Sequence, residues 1–478
     1  MATTRRLRAT RPAQPALEPG IAAIRRGMDL PEAFPPEVEA AAAAAALQPR
    51  LPELDRTDLP FVTVDPPGAM DLDQALHVAR QGDGYVVHYA IADVAAFVSP
   101  GDPVDLEANR RGETLYGAAS KIPLHPKVLS EGAASLLPDV VRPALLWTIV
   151  LDRTGEGIEV DVRRALVRSR ERLDYAGLQQ RIDAGKADAM WDVLREIGEV
   201  RIEREVRRGG ISLPLPDQEI RVGPGGEWQL EFRARQPVED WNEQISLLTG
   251  MAAAHLMTTH LVGLLRTLPE SDPHAIERLR RSARALGIDW PQGRSYPDFI
   301  RSLDPANPRH VAMMVASTTV LRGAGYMAFA GALPEHPMHS ALASTYTHCT
   351  APLRRLVDRY TGELCVALCA GQAAPDWVLQ ALPGLPATMA AADRRAGHYE
   401  RAVIDLAESL VLAPRVGERF SASIVEIDRR DPKQGMAMLT DLAIEARVQG
   451  DAPLPLGASV EVKLVEADPA RRRILFQL

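Results

Sequence analysis

The sequence predicts an α+β chain: a large unit of mixed sheet and helices, followed by a small all-β barrel. Three observations lead there. Strand-like apolar runs crowd residues 59–168 and return after Pro414, whereas residues 175–208, 238–268 and 390–411 switch to helical periodicity. The middle block lacks the regular strand–helix alternation of a doubly wound sheet. At 478 residues the chain exceeds one ordinary core, and its 46% hydrophobic content is enough to fill two or three domains.

In order, residues 1–34 read as a basic, flexible arm, in which residues 1–28 set Arg5, Arg6, Arg8, Arg11, Arg25 and Arg26 against Glu18. Residues 35–413 form the mixed unit. Pro35–Ala46 reads as a helix with proline near its start and acids in its first turn. Leu59–Val64, Ala75–Val78, Tyr85–Val98, Ala144–Asp152 and residues 158–168 read as strands, with a short helix at Val104–Arg111. Residues 211–232 suggest a hairpin turning at Gly223–Gly226. Val238–Leu268 suggests one long helix, broken at most near Gly250, and Ile276–Leu286 and His310–Leu321 suggest two more. Residues 414–478 carry five short strands in about 60 residues, the spacing of a small OB-type barrel.

Composition narrows the class. A net charge of −8 argues against a generic polyanion binder but leaves room for a local basic channel. Cys349, Cys365 and Cys369 make no disulfide framework and read as core thiols. No apolar stretch is long enough to span a membrane and no leader pattern is visible, so a cytoplasmic protein is expected.

Two stretches carry chemistry. Asp65-Pro-Pro-Gly-Ala-Met-Asp71-Leu-Asp73-Gln74 holds three carboxylates around a Pro-Pro-Gly turn. If Asp71 and Asp73 are extended they face the same way, and the turn folds Asp65 back beside them. Three carboxylates so close demand a cation, and hard oxygen donors suit Mg²⁺ or Mn²⁺, which act on phosphodiesters. A solvated acidic loop is the alternative. Asp93 either supports this site from a neighbouring strand or simply ends its own strand. In Tyr346–Asp358, Pro352 reads as the first turn of a helix capped by Thr350. Arg354 and Arg355 then sit at the helix end that disfavours cations, which suggests an anionic partner, carboxylate or phosphate. An exposed salt-bridging pair is the alternative.

Taken together and in order, these blocks resemble the ribonuclease II/ribonuclease R family, whose catalytic domain is called RNB. Phe61–Asp65 with Asp71-Leu72-Asp73 resembles its metal motif, and Tyr89–Val94 its next strand. Tyr116 with Ile122-Pro123-Leu124 resembles its tyrosine loop, Glu243–Leu248 a family helix, and Tyr346–Arg355 its arginine motif. The barrel from Arg415 resembles its S1 domain. The resemblance implies an Mg²⁺-dependent 3′→5′ exoribonuclease that acts on single-stranded RNA as a monomer and releases nucleoside 5′-monophosphates. Asp65, Asp71 and Asp73 would hold the metal with Gln74. Asp71, Asp73 and Arg354 would serve catalysis, and Tyr116, Glu243, Arg355 and Thr350 would bind RNA, with Glu239 as an alternative register for Glu243.

Three departures stand out. Gln74 replaces a family carboxylate, and its amide brings no charge. About 50 residues precede the acidic motif, fewer than the family's pair of N-terminal cold-shock barrels would need. The C-terminal barrel has only Phe420 and Phe476 as aromatics, which leaves phosphate contacts to Arg429, Arg430 and Arg471–Arg473. Two other functions follow from these residues: an RNA-binding scaffold with weak or no catalysis because of Gln74, and a phosphoesterase for small substrates.

Overall fold

A computed structural model describes residues 7–9, 14–118, 120–213, 217–222, 228–233, 235–428, 430–439, 442 and 444–478. Arg5, Arg6, Arg11 and Arg429 and the turn expected at Gly223–Gly226 lie outside these residues.

The runs read as strands close into a barrel. Its order is Phe61–Val64, Gln74–Gln81, Gly84–Ala92, Val141–Leu151 and Gly157–Leu173, and the last strand returns to the first in parallel. Period-two alternation splits these strands between two cores. Leu76, Val78, Val87, Tyr89, Ile91 and Trp147 join the core that also takes Val238, Ile245 and Leu248 from the helix Pro237–Thr259. Ala75, Ala90, Ala92, Ala144 and Ala165 join Phe61, Leu72 and Leu353 in the other. Ala92 ends its strand, and the buried Asp93 that follows pairs with Arg164 at 2.9 Å, so it serves the barrel wall. The C-terminal strands close a second barrel in the order Arg419–Ile427, Gln434–Leu439, Glu445–Gln449, Arg473–Gln477, Ser459–Asp468.

Three expectations need correcting. The helix expected over 238–268 ends at Thr259, and Val262–Thr267 turns back as a strand paired with Gly325–Ala330, because Leu261 takes a positive φ that breaks the helix. Gly250 does not break that helix. An added Cβ there would lie 2.2 Å from the Tyr346 ring and 2.5 Å from the Thr347 carbonyl, so glycine admits the segment leading to Arg354. The described part of the basic arm is ordered: Gln14–Gly27 is a helix. Its Leu17, Ile21 and Ile24 recur at helical spacing and are buried with Tyr399, Val403 and Leu406 of the helix Leu385–Leu412. The Pro- and Arg-rich composition hid that stripe.

Gly250→Ala should lose about 2 kcal/mol or more of stability by overpacking, read as a lower urea midpoint at unchanged slope. A midpoint equal to wild type would mean the helix relaxes freely away from Tyr346.

Candidate active site

The acidic turn and the arginine loop meet although they lie 280 positions apart. The backbone N–H of Leu353 donates to Asp73 Oδ1 at 2.7 Å, and Arg354 Nε lies 3.6 Å from Asp73 Oδ2. The turn forms as its residues dictate: Gly68 adopts φ 82°, and Asp65 leaves the strand Phe61–Val64 with its N–H on the Leu173 carbonyl. Asp73 is 5% exposed. Burial pushes its carboxyl well above the usual range, and Asp71 adds to this, while Arg354 and the Leu353 N–H pull the other way. Burial and then Asp71 push Asp65 up to about 7, against Arg354 and Arg172. Tyr89 Oη, hydrogen-bonded to Ser246 at 2.8 Å, ties the helix of Glu243 to the barrel strand beside this turn.

The helix of the arginine motif begins later than its proline suggests, at Leu356, so Ala351–Arg355 form an irregular loop with Arg355 extended at the N-cap. The first-turn acid Asp358 supplies the anion. It accepts Arg355 Nε at 2.6 Å and a second guanidinium nitrogen at 3.0 Å, and also the Ala351 N–H at 2.7 Å. Arg355 therefore shapes the loop, with its side chain 13% exposed, whereas Arg354 is 35% exposed and faces Asp73. Thr350 is buried and does not cap the helix. Its carbonyl accepts the side-chain amide of Gln74. In the structure the Arg355 guanidinium is engaged by Asp358 and the Thr350 carbonyl by Gln74.

Tyr116 is 39% exposed on a hairpin, Leu115–Tyr116 with Lys121–Ile122, whose start is bound to the arginine loop through Thr114 N–H on the Arg354 carbonyl at 2.9 Å. Glu243 pairs with Arg235 at 2.5 Å. Glu239, the alternative register, is occupied by its capping box with Gln236 and by Arg233 at 2.7 Å.

Sequence reasoning missed Lys121 and Glu113. Lys121 Nζ lies 2.7 Å from Asp71 Oδ1 and 3.0 Å from Glu131. Burial opposes its charge, but these two carboxylates hold its pKa above the usual lysine value. One signal was available: the lysines of this arginine-rich chain are only Lys121, Lys127, Lys186, Lys433 and Lys463. Glu113 bridges backbone-to-backbone with Arg355, and burial, then Asp393 and Glu400, push it up to about 7 against Arg355 and Arg266.

The donors suit a divalent ion. They are hard oxygens on mutually repelling carboxylates, of which Asp73 is buried, and an ammonium already stands in as the cation on Asp71. With Asp71 on Lys121 and Asp73 on Leu353, no three His, Cys, Asp or Glu side chains among the described residues gather in a metal-holding group. A cavity of about 1660 Å³ lies elsewhere, between the helices Pro273–Ala285 and Leu385–Leu412 and the C-terminal barrel. Arg430, Arg471, Arg472 and Arg473 line it.

Such a barrel, with an acidic turn facing an arginine loop and a second barrel beyond, defines a recognisable class. The RNB domain family matches residues 54–369, and the RNase II-type exonuclease C-terminal S1 domain matches residues 418–478. The chain belongs to the RNB family. It is 29% identical over 331 residues to exosome complex exonuclease RRP44 homolog A of Arabidopsis thaliana, covering 66% of this chain and 35% of that protein. It is 28% identical over 354 residues to ribonuclease R of Escherichia coli, covering 70% and 43%. The chain thus spans less than half the length of either relative. Mycoplasma genitalium RNase R superposes with a TM-score of 0.83 in its apo form, at 22% identity, covering 97% of this chain and 78% of that one. The same enzyme in complex with ribose-methylated single-stranded RNA gives 0.83 at 21% identity, with the same coverage. Among the described residues no helix is long and apolar enough to cross a membrane.

Glu113 keeps its proton in the folded state at a pH where the unfolded chain has lost it. Its contribution to stability is therefore full below about 4.5 and is lost as pH rises through about 7. Melting curves from pH 5 to 8 should show wild type losing ground to Glu113→Gln as pH rises. Parallel curves would place the Glu113 proton elsewhere.

Proposed function

We propose that this chain is a hydrolytic 3′→5′ exoribonuclease that acts on single-stranded RNA as a cytoplasmic monomer and releases nucleoside 5′-monophosphates. The observation that carries the reading is the meeting of Asp73 with Leu353 and Arg354, which sets the buried carboxylate of an acidic turn against a partly exposed guanidinium. Membership of the RNB family and the exonuclease names of the relatives support the reaction class, and the RNase R complex supports single-stranded RNA as substrate.

Asp65, Asp71 and Asp73 would hold Mg²⁺, with Mn²⁺ as a substitute, and the carbonyl oxygen of Gln74 is left to assist because its amide nitrogen serves Thr350. A bound ion supplies Lewis-acid charge to the phosphate and acidity to a water. Arg354 stabilises the charge that grows on the phosphate oxygens. Tyr116 offers an exposed ring to stack on a terminal base, and Glu243 contacts a nucleotide near the 3′ end. Arg430 and Arg471–Arg473, in the cavity beside the C-terminal barrel, meet backbone phosphates further along the strand.

A second reading, an RNB scaffold that binds RNA and cleaves weakly, is favoured by the neutral Gln74 and by Lys121 on Asp71. A time course on 5′-labelled single-stranded RNA, with Mg²⁺ and with EDTA, separates the two. The nuclease gives a descending ladder that EDTA abolishes. Intact RNA that still shifts in a binding gel supports the scaffold.

On the nuclease reading, Asp73→Asn abolishes hydrolysis while RNA binding stays within a few-fold of wild type, and Arg354→Ala lowers kcat by about 10²- to 10³-fold. Wild-type turnover by Asp73→Asn would remove this site assignment.

A further inference from the structure

We infer that Lys121 is a cationic latch on the acidic turn: its ammonium rests on Asp71 when no divalent ion is present and withdraws to Glu131 when one binds. The inference rests on the metal reading above and adds to it a residue and a motion.

The geometry is that of a charge with two seats. Nζ lies 2.7 Å from Asp71 Oδ1 and 3.0 Å from Glu131, and these carboxylates come from different elements, the acidic turn and the helical turn Leu129–Ala133. Leaving Asp71 breaks one ion pair and keeps the other, so the displaced ammonium is never stranded. Lys121, Asp71 and Glu131 are 22%, 14% and 21% exposed, which leaves little solvent to screen the exchange. An ion on Asp71 would meet a like charge within contact distance if the ammonium stayed, so the two compete for one carboxylate.

The backbone beneath the latch is held. Lys121 pairs in register with Tyr116, and neighbouring Leu115 and Ile122 are buried in the core shared with the N-terminal helix. From that helix Arg25 donates to Ser120 Oγ and, at 3.2 Å, to Tyr399 Oη. A lysine suits such an exchange because its compact charge on a flexible stem changes partners, whereas an arginine fork would grip one carboxylate bidentately.

The test is Mn²⁺ binding to the full chain without RNA, followed by the loss of the free-ion paramagnetic resonance signal. Wild type should bind the ion, Lys121→Met should bind it about tenfold more tightly, and Glu131→Gln several-fold more weakly. General electrostatics predicts the same signs, so the double variant decides. On the latch, Glu131 acts through the lysine, and Glu131→Gln has no effect once Lys121 is Met. An additive double variant, or unchanged affinity in Lys121→Met, overturns the latch while leaving the metal reading intact. Absence of binding by wild type and all variants overturns the metal reading and the latch with it.

Discussion

A buried carboxylate needs partners, and Asp73 finds them in the backbone N–H of Leu353 and the guanidinium of Arg354. A hydrogen bond to a charged acceptor contributes about 1.5–3 kcal/mol, and leaving that acceptor unmet costs at least as much. The contact closes a very long loop, so it must be supported by elements that bring both segments to one place. The barrel presents the acidic turn between two of its strands, and the helix Pro237–Thr259 receives the arginine segment at Gly250. The backbone at residues 112–114 then pairs with residues 354–356, adding the tyrosine hairpin to the same assembly.

The division of labour between the adjacent arginines follows from this. A loop that leads a guanidinium to a carboxylate must be stiff, and Arg355 stiffens it by clamping Asp358, which also takes the Ala351 N–H. Arg354 is then free to serve the site. The Tyr116 hairpin is stiffened differently, by burial of Leu115 and Ile122 in a core that also holds the N-terminal helix and much of the C-terminal barrel. The unit boundary expected at residue 414 is therefore crossed by one continuous apolar cluster.

Much of this was legible in the residues. The strands of both barrels, the acidic turn, the arginine motif and the hairpin of residues 211–232 were all visible, because period-two alternation and Pro-Gly punctuation are local signals. Closure of the first barrel was not visible, since it depends on Phe61–Val64 meeting Gly157–Leu173 across long sequence separation. The strand at Val262–Thr267 was absorbed into a helix because its apolar residues continue those before it. The local partners of Arg355 and Thr350 were hidden for a related reason: a motif names residue types, but only the fold shows Asp358 on the Arg355 guanidinium and Gln74 on the Thr350 carbonyl. Lys121 escaped notice because its meaning lies in Asp71 and Glu131, and no periodicity marks such a triplet.

Gln74 and Lys121 change the site in the same direction. Where the family resemblance implies a fourth carboxylate, Gln74 contributes a neutral amide committed to Thr350, and on the far side of the turn Lys121 adds a positive charge to Asp71. Each lowers the negative charge available to a metal, and together they reduce the repulsion that would otherwise strain a metal-free acidic cluster. Burial drives Asp65 and Asp73 towards their protonated forms, which relieves part of the same repulsion. The protein's own cations thus hold the turn in shape, and on the metal reading proposed above an ion would have to displace the Lys121 ammonium from Asp71.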